Sequence, residues 1–473
     1  MVNLYPHQEE FIEGLRTAMR SKKKSVLGCF PTGGGKTMVA SFMIRGALEK
    51  GMGIIFMVHR KELLEQTSNT FTRLDIPHSY IAAEKSYNPY VNCHIAMVDT
   101  LKNRLDKVTK PKILIVDECH HSTSPTYKKV LKWAQDGGAY VIGLTATPIR
   151  SDGAGLDDIY DDMVLGKDVS WLIENGFLSK YKAYAPDIPD LSNVKTVMGD
   201  YAVGQLAEAM ANGAIIGSSI THWKKHALGK KTIGFAPNIL TSKMLTEKFL
   251  ESGISAAHVD AETDKDDRRK IIIDFADGKI DVLWNMGLFG EGLDLSAMTG
   301  RDVPIEAVIL YRPTKSLGLH LQQCGRALRR KPEPAIILDH AGNLMRHGFP
   351  DSKFEWSLEG KKKDKHEVKI RSCPPPCYAT YEPQRFCPEC GYDNNPPVDD
   401  NEPADKKGPD WIPGELKEMT KEDLEEFRMK NKSKKNAMLA KAKTMDDLEA
   451  IRAMMKYKQG WKYHVAQSKG IRA

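Results

Sequence analysis

Residues 25–37 read SVLGCFPTGGGKT, and the fold turns on this stretch. Ser25 to Phe30 forms a short apolar run suited to a buried strand. Pro31-Thr32-Gly33-Gly34-Gly35 is a tight glycine-rich turn, and Lys36-Thr37 open a helix that extends to about Lys50. A strand, a glycine loop and a helix N-terminus in succession make a cradle for phosphate. The glycines let backbone N–H groups approach the anion, Lys36 reaches the terminal phosphates, and the Thr37 hydroxyl is a ligand for Mg²⁺. The complete phosphate-loop pattern asks for glycine six residues before the lysine, and Phe30 stands there. Taken alone, the stretch fits half of a nucleotide-binding pattern or an ordinary strand–helix turn.

Outward from this loop the alternation repeats. Gly53–Val58 is a strand that runs into His59-Arg60-Lys61, another strand is expected near His94–Val98, and Lys112–Val116 ends in Asp117-Glu118-Cys119-His120. Ala139–Leu144 is a strand ending in Thr145-Ala146-Thr147-Pro148. Strands alternating with helices indicate a parallel, doubly wound α/β sheet. Ligands of such sheets sit at the carboxyl ends of the strands, which places Lys36 and the Asp117-Glu118 pair in one crevice. Asp117 then holds Mg²⁺ through its water shell, and Glu118 orients or activates the attacking water. The hydroxyls of Thr145 and Thr147 are positioned to relay between this crevice and a second ligand. Upstream, Leu4-Tyr5-Pro6-His7-Gln8 precedes an amphipathic helix with Phe11, Ile12, Leu15 and Met19 on one face. The Gln8 amide carries the donor and the acceptor that reading an adenine edge requires.

The chain has 473 residues, 41% apolar and 28% charged, a composition of folded globular proteins long enough for several domains. A net charge of +7 permits a polyanionic partner. The N-terminal residues show no secretory pattern, and no apolar run approaches the roughly 18 residues of a membrane span. The eight cysteines divide into four scattered and four clustered, which points to a reducing compartment with one metal site rather than a disulfide framework.

PTGGGKT, DECH and TATP, in this order and spacing, resemble the superfamily 2 helicases and translocases, the DEAD/DEAH-like group. The N-terminal YPHQ resembles the glutamine-containing adenine-reading motif of that superfamily. In the second half Thr232–Phe235, HVDAET (258–263) with Arg268, GLFGEGLDL (287–295) and QQCGRALRR (322–330) continue the series, so the likeness covers about residues 1–345. Cys119 in the DECH box, and Glu291 where many relatives carry arginine, resemble the DNA-opening repair, branch-migration and restriction branch more than the DEAD-box RNA helicases. The resemblance implies two tandem RecA-like lobes, ATP with Mg²⁺, and DNA in single-stranded, duplex or branched form as partner, RNA being less favoured. It implies nucleotide contacts from Gln8, Thr32, Gly33, Gly34, Gly35, Lys36, Thr37, Asp117, Gly292 and Asp294. Thr145, Thr147 and Gln322 would couple the nucleotide to the strand, which Arg60 and Thr100 would grip.

The second half supports the same division by its own pattern. Residues 151–215 are polar and broken and contain the linker. From Lys230 strands are expected at Thr232–Phe235, Ser255–His258, Ile280–Trp284, Ala307–Leu310 and Ala335–Leu338, with helices at Thr241–Ser252 and Asp264–Gly278. Arg326 and Arg329 lie three apart on a helix expected to start near Leu317, so they share a face and could stabilise charge on a transferring phosphate. The expected units are lobe one at 1–165, a linker at 166–215, lobe two at 216–360, a zinc module at 361–400 and a helical basic tail at 401–473. Cys373, Cys377, Cys387 and Cys390 form two knuckles spaced for one structural Zn²⁺. Residues 415–457 are helical in pattern. Arg428–Lys443 carries seven basic residues and no acid, which suits a phosphate backbone or a solvated face. The expected product is a cytoplasmic, ATP-driven DNA motor of a bacterium or phage-infected cell, with replication or recombination proteins among its partners. A catalytically weak nucleic-acid-binding module, and the motor subunit of a restriction or nuclease system, are the alternatives.

Overall fold

In a computed structural model, the described residues are 4–148, 154–185, 191, 194–197, 200–210, 213–289 and 295–360, with short segments at 371–372, 380–381 and 417–418. The four clustered cysteines, together with Gly292 and Asp294, lie outside them.

The first lobe begins with α1 (Pro6–Arg20), whose proline occupies the first turn, where its missing N–H costs nothing. Phe11, Ile12, Leu15 and Ala18 are its buried face, with Met19 packed at the margin. The sheet strands are β1 (Ser25–Cys29), β2 (Ile54–Val58), β3 (Ser79–Ile81), β4 (Cys93–Met97), β5 (Ile113–Asp117), β6 (Tyr140–Thr145) and β7 (Asp162–Leu165). They run in the order β3-β4-β2-β5-β6-β1-β7, and every pairing is parallel. The connecting helices are α2 (Lys36–Leu48), α3 (Lys61–Arg73), α4 (Val98–Leu101) and α5 (Pro125–Gln135). Central strands β1 and β2 are buried at every position, as a sheet covered on both faces requires. One apolar cluster lies on each face, around Phe30, Phe56 and Phe71 on one side and around Met57, Val116 and Tyr160 on the other.

After α6 (Val169–Glu174), strand β8 (Tyr181–Ala185) already belongs to the second sheet, paired parallel with the strand at Ala335–Asp339. The second lobe thus takes in a piece of the segment assigned to the linker by composition. A short edge-side strand carries too few apolar positions to stand out from polar surroundings. Next come the small hairpin β9 (Thr196–Val197) and β10 (Asp200–Tyr201), then α7 (Val203–Met210) and α8 (Gly213–His226). The remaining elements are β11 (Thr232–Phe235), α9 (Ile239–Glu251), β12 (Ala256–Val259), α10 (Lys265–Ala276), β13 (Val282–Asn285), α11 (Leu295–Thr299), β14 (Ala307–Leu310), α12 (Leu317–Gly325), β15 (Ala335–Asp339) and α13 (Asn343–His347). Arg371–Ser372 (β16) pairs with Thr380–Tyr381 (β17), and Lys417–Glu418 (β18) adds antiparallel to β8. The second sheet has the order β12-β13-β11-β14-β15-β8-β18.

Two further expectations change. Arg326 and Arg329 do not share a helical face, because α12 ends at Gly325. Arg326 caps it and Arg329 forms a bridge with Leu178. Within 415–457, read as helical, the described pair Lys417–Glu418 is extended. Among the described residues no helix is long and apolar enough to cross a membrane.

The end of the second lobe returns to the first. Leu358 O accepts from Leu156 N at 2.6 Å and from Asp157 N at 3.2 Å, and Trp356 and Leu358 pack on the first lobe's cluster. This crossing and the cleft contacts described below both tie the lobes together.

Candidate active site

The phosphate loop forms a tight turn closed by Gly34 N donating to Pro31 O at 3.0 Å. Gly33 (φ 83°) and Gly35 (φ 97°) are left-handed, a region side chains avoid. Gly35 is the N-cap of the 13-residue α2, so the helix's unsatisfied N–H groups open onto the loop. Phe30, the departure from the glycine pattern, is fully buried, and its ring packs tilted against Phe11 with centroids 4.8 Å apart. A Cβ on Gly34 would come within 2.7 Å of that ring. The aromatic therefore packs against the loop, and Gly34 is the residue that makes room for it.

Gln8 holds the same loop by its backbone. Its Nε2 donates to Gly34 O at 2.9 Å, and its Oε1 accepts from Tyr5 N at 3.0 Å. The structure thus shows this amide bracing the loop backbone. Lys36 Nζ folds toward Phe30 O, 3.4 Å away. Thr32 Oγ1 is buried with no hydrogen-bond partner, so the loop keeps a polar group in hand. Two left-handed glycines, a lysine, a threonine at the helix start and a spare hydroxyl fit a nucleoside triphosphate. Thr37 and Asp117 are the residues that would hold its Mg²⁺.

Asp117 ends β5 and Glu118 follows with φ 47° and ψ 52°. A non-glycine residue in this region costs on the order of 1–3 kcal/mol, and the bend turns the buried Glu118 side chain back across the strand ends. Burial first, then the neighbouring Glu118 charge, push the Asp117 carboxyl above its usual range, with Lys36 and His59 pulling it back. Cys119 is fully buried in an apolar cluster, so the box's third residue is there for packing. His120 closes the tight turn: its Nδ1 lies 3.4 Å from Glu118 Oε2 and 3.2 Å from Thr145 Oγ1. Thr145 Oγ1 in turn donates to Thr147 O at 3.0 Å and accepts from Thr147 N at 3.1 Å. His120 has no role in the sequence pattern alone; its place two residues after Glu118 is the signal, since a tight turn returns that side chain to the same carboxylate.

The second lobe completes this arrangement. Gln322 Nε2 points at Glu118 Oε2, 3.4 Å away across the cleft. On the other margin Arg60 Nη1 donates to Gly287 O at 2.7 Å, and Arg268 Nη1 pairs with Glu62 Oε1 at 2.9 Å. Arg60 is thus engaged with the second lobe. Thr100 is half-buried in α4 at the end of the neighbouring strand β4. A cleft of about 550 Å³ beside the loop is walled by Thr32 and Ala146 on one lobe and by Leu321, Gly325 and Phe354 on the other. Arg326 is buried, and together with Arg329 it lines a small apolar cavity of the second lobe with Ile233, Phe289 and Ile305. The structure therefore gathers Gln8, Thr32, Lys36 and Thr37 at one loop, and Glu118, Thr145, Thr147 and Gln322 in one network. Among the described residues no group of three or more His, Cys, Asp or Glu is arranged to hold a metal by itself.

Known proteins are similar to this chain in sequence or in fold. The family described as "Type III restriction enzyme, res subunit" matches residues 1–150, and "Helicase conserved C-terminal domain" matches residues 215–331. A 51.5 kDa protein of a Lactococcus phage is 38% identical over 370 residues, which is 77% of this chain and 77% of that protein. The "Putative ATP-dependent helicase IRC3" of Saccharomyces cerevisiae is 28% identical over 362 residues, 72% of this chain and 51% of that protein. The chain thus spans about half the length of the yeast relative. Among solved structures, a fragment of a putative HsdR subunit of a type I restriction enzyme from Vibrio vulnificus aligns with TM-score 0.55 and 20% identity, covering 73% of this chain and 65% of that one. At that identity the likeness concerns the fold.

Proposed function

The chain belongs to the superfamily 2 helicases and translocases, and from that membership we propose that it is an ATP-driven motor on DNA. The observation that carries the reading is the contact of Gln322 with Glu118. A carboxylate placed to handle the attacking water is touched by the other lobe, so hydrolysis and the relative position of the lobes are linked. Closing the cleft completes the site, and opening it after hydrolysis moves whatever strand both lobes hold. Arg60 and Thr100, at the ends of adjacent strands, are candidate phosphate contacts, and such contacts make binding salt-sensitive and largely sequence-independent. ATPase assays with single-stranded, duplex and forked DNA and with RNA, run side by side, test this. Stimulation by none of them overturns it. A second reading, the motor subunit of a restriction-type system, draws on the family matched over residues 1–150. It predicts that translocation on duplex DNA outpaces strand separation.

His120 serves the linkage rather than the chemistry in this proposal. His120→Ala is expected to lower DNA stimulation by about 5- to 150-fold, the usual span of a coupling energy, with ATP affinity little changed. Equal stimulation in the variant removes His120 from the network.

Cys373, Cys377, Cys387 and Cys390 would hold one structural zinc by their spacing. Metal analysis of the purified chain is expected to give one zinc per chain, lost when Cys387 and Cys390 are replaced by serine. A content near zero, or zinc retained in that variant, overturns the assignment.

A further inference from the structure

Helix α12 turns one face to the first lobe, and two of the residues on that face are glycines. Gly318, Gln322 and Gly325 are four and three residues apart, so they lie along one face over two turns. A Cβ on Gly318 would stand 2.8 Å from Thr147 Oγ1. A Cβ on Gly325 would stand 2.7 Å from both Cβ and Cγ2 of Thr32. Between them Gln322 reaches Glu118. The three partners come from three separate loops of the first lobe: the phosphate loop, the end of β5 and the end of β6. Neither glycine has a left-handed φ, so backbone conformation does not call for glycine here. Helix propensity disfavours it relative to alanine. What calls for it is the closeness of the other lobe.

We infer that Gly318 and Gly325 are positioning residues for hydrolysis: their missing side chains set how deeply α12 seats on the first lobe, and so bring Gln322 within reach of Glu118. The inference rests on the reading of the chain as an ATP-driven motor. The two contacts differ in stiffness. Thr32 Cβ is fixed to the loop backbone, so no side-chain rotation relieves a methyl on Gly325. Thr147 Oγ1 can turn away by a change of χ1, although a buried β-branched side chain resists it. The effect at Gly325 is therefore the larger.

The test uses the full chain and measures kcat and KM for ATP, DNA binding and the thermal midpoint. Gly325→Ala is expected to lower DNA-stimulated kcat by about 100-fold, the loss typical of a displacement near 1 Å. KM and DNA binding should change little, and the thermal midpoint should hold or rise. Gly318→Ala loses less, and combined with Thr147→Ala it is no slower than Thr147→Ala alone, since the atom it meets is gone. Wild-type turnover in Gly325→Ala overturns the inference, as does a loss that follows a fallen thermal midpoint. Losses that multiply in the Gly318–Thr147 pair remove Gly318 from it. A wild-type chain that hydrolyses no ATP with any DNA overturns the motor reading, and this inference with it.

Discussion

Glu118→Gln is expected to lower DNA-stimulated ATP hydrolysis by about 10²- to 10⁴-fold, the contribution of a positioned general base, while ATP and DNA still bind. Glu118 is 3% exposed and held in a strained backbone conformation. Such strain persists only where the surroundings fix it. His120 and Gln322 approach the same oxygen, Oε2, which leaves Oε1 for the water. Glutamine keeps the size and one carbonyl oxygen but cannot take up a proton. Phosphate-loop contacts to the nucleotide do not involve this side chain, so affinity should survive. Steady-state hydrolysis and equilibrium nucleotide binding, measured on the same preparation, check the split. Turnover near the wild-type rate would falsify the assignment of Glu118.

Arg326→Ala is expected to reduce stimulated turnover by about 10³-fold or more, the scale of an arginine finger, with DNA still bound. Gly325 lies against Thr32 of the phosphate loop, and Arg326 is the next residue, so its charge travels with that seat. In the structure its side chain lines the second lobe's cavity beside Arg329. The catalytic role therefore requires the guanidinium to swing toward the phosphates when nucleotide is bound. Arg326→Lys separates charge from shape: lysine keeps the positive charge without the planar fork, so partial recovery is expected. Arg329→Ala is expected to show a loss of the same order. Full turnover in both alanine variants would mean that the lobes do not share the nucleotide, and the motor would lose its mechanism.

Much of the fold was readable because its signals are local. Buried parallel strands are continuous apolar runs, and Thr232–Phe235 and Ala307–Leu310 occupy the residues their pattern indicated. Lys36 and Asp117-Glu118 could be placed together because each follows a strand of one parallel sheet. The helix that opens at Leu317 ends sooner than its composition indicates: Arg326 and Arg329 suit a helix, but that end packs on Leu178 and Ser179 instead.

The sequence by itself determined the two sheets, the phosphate loop and the identity of the chemical groups at the strand ends. Each of these follows from hydrophobic period, turn residues and side-chain type within a few neighbouring positions. Only the tertiary structure decided what those groups touch. Gln322 meets Glu118 from 204 residues away, Phe30 replaces a glycine because Gly34 clears space for its ring, and Gly325 matters because Thr32 lies against it. A contact between distant segments depends on how two lobes seat on each other, which no local periodicity records.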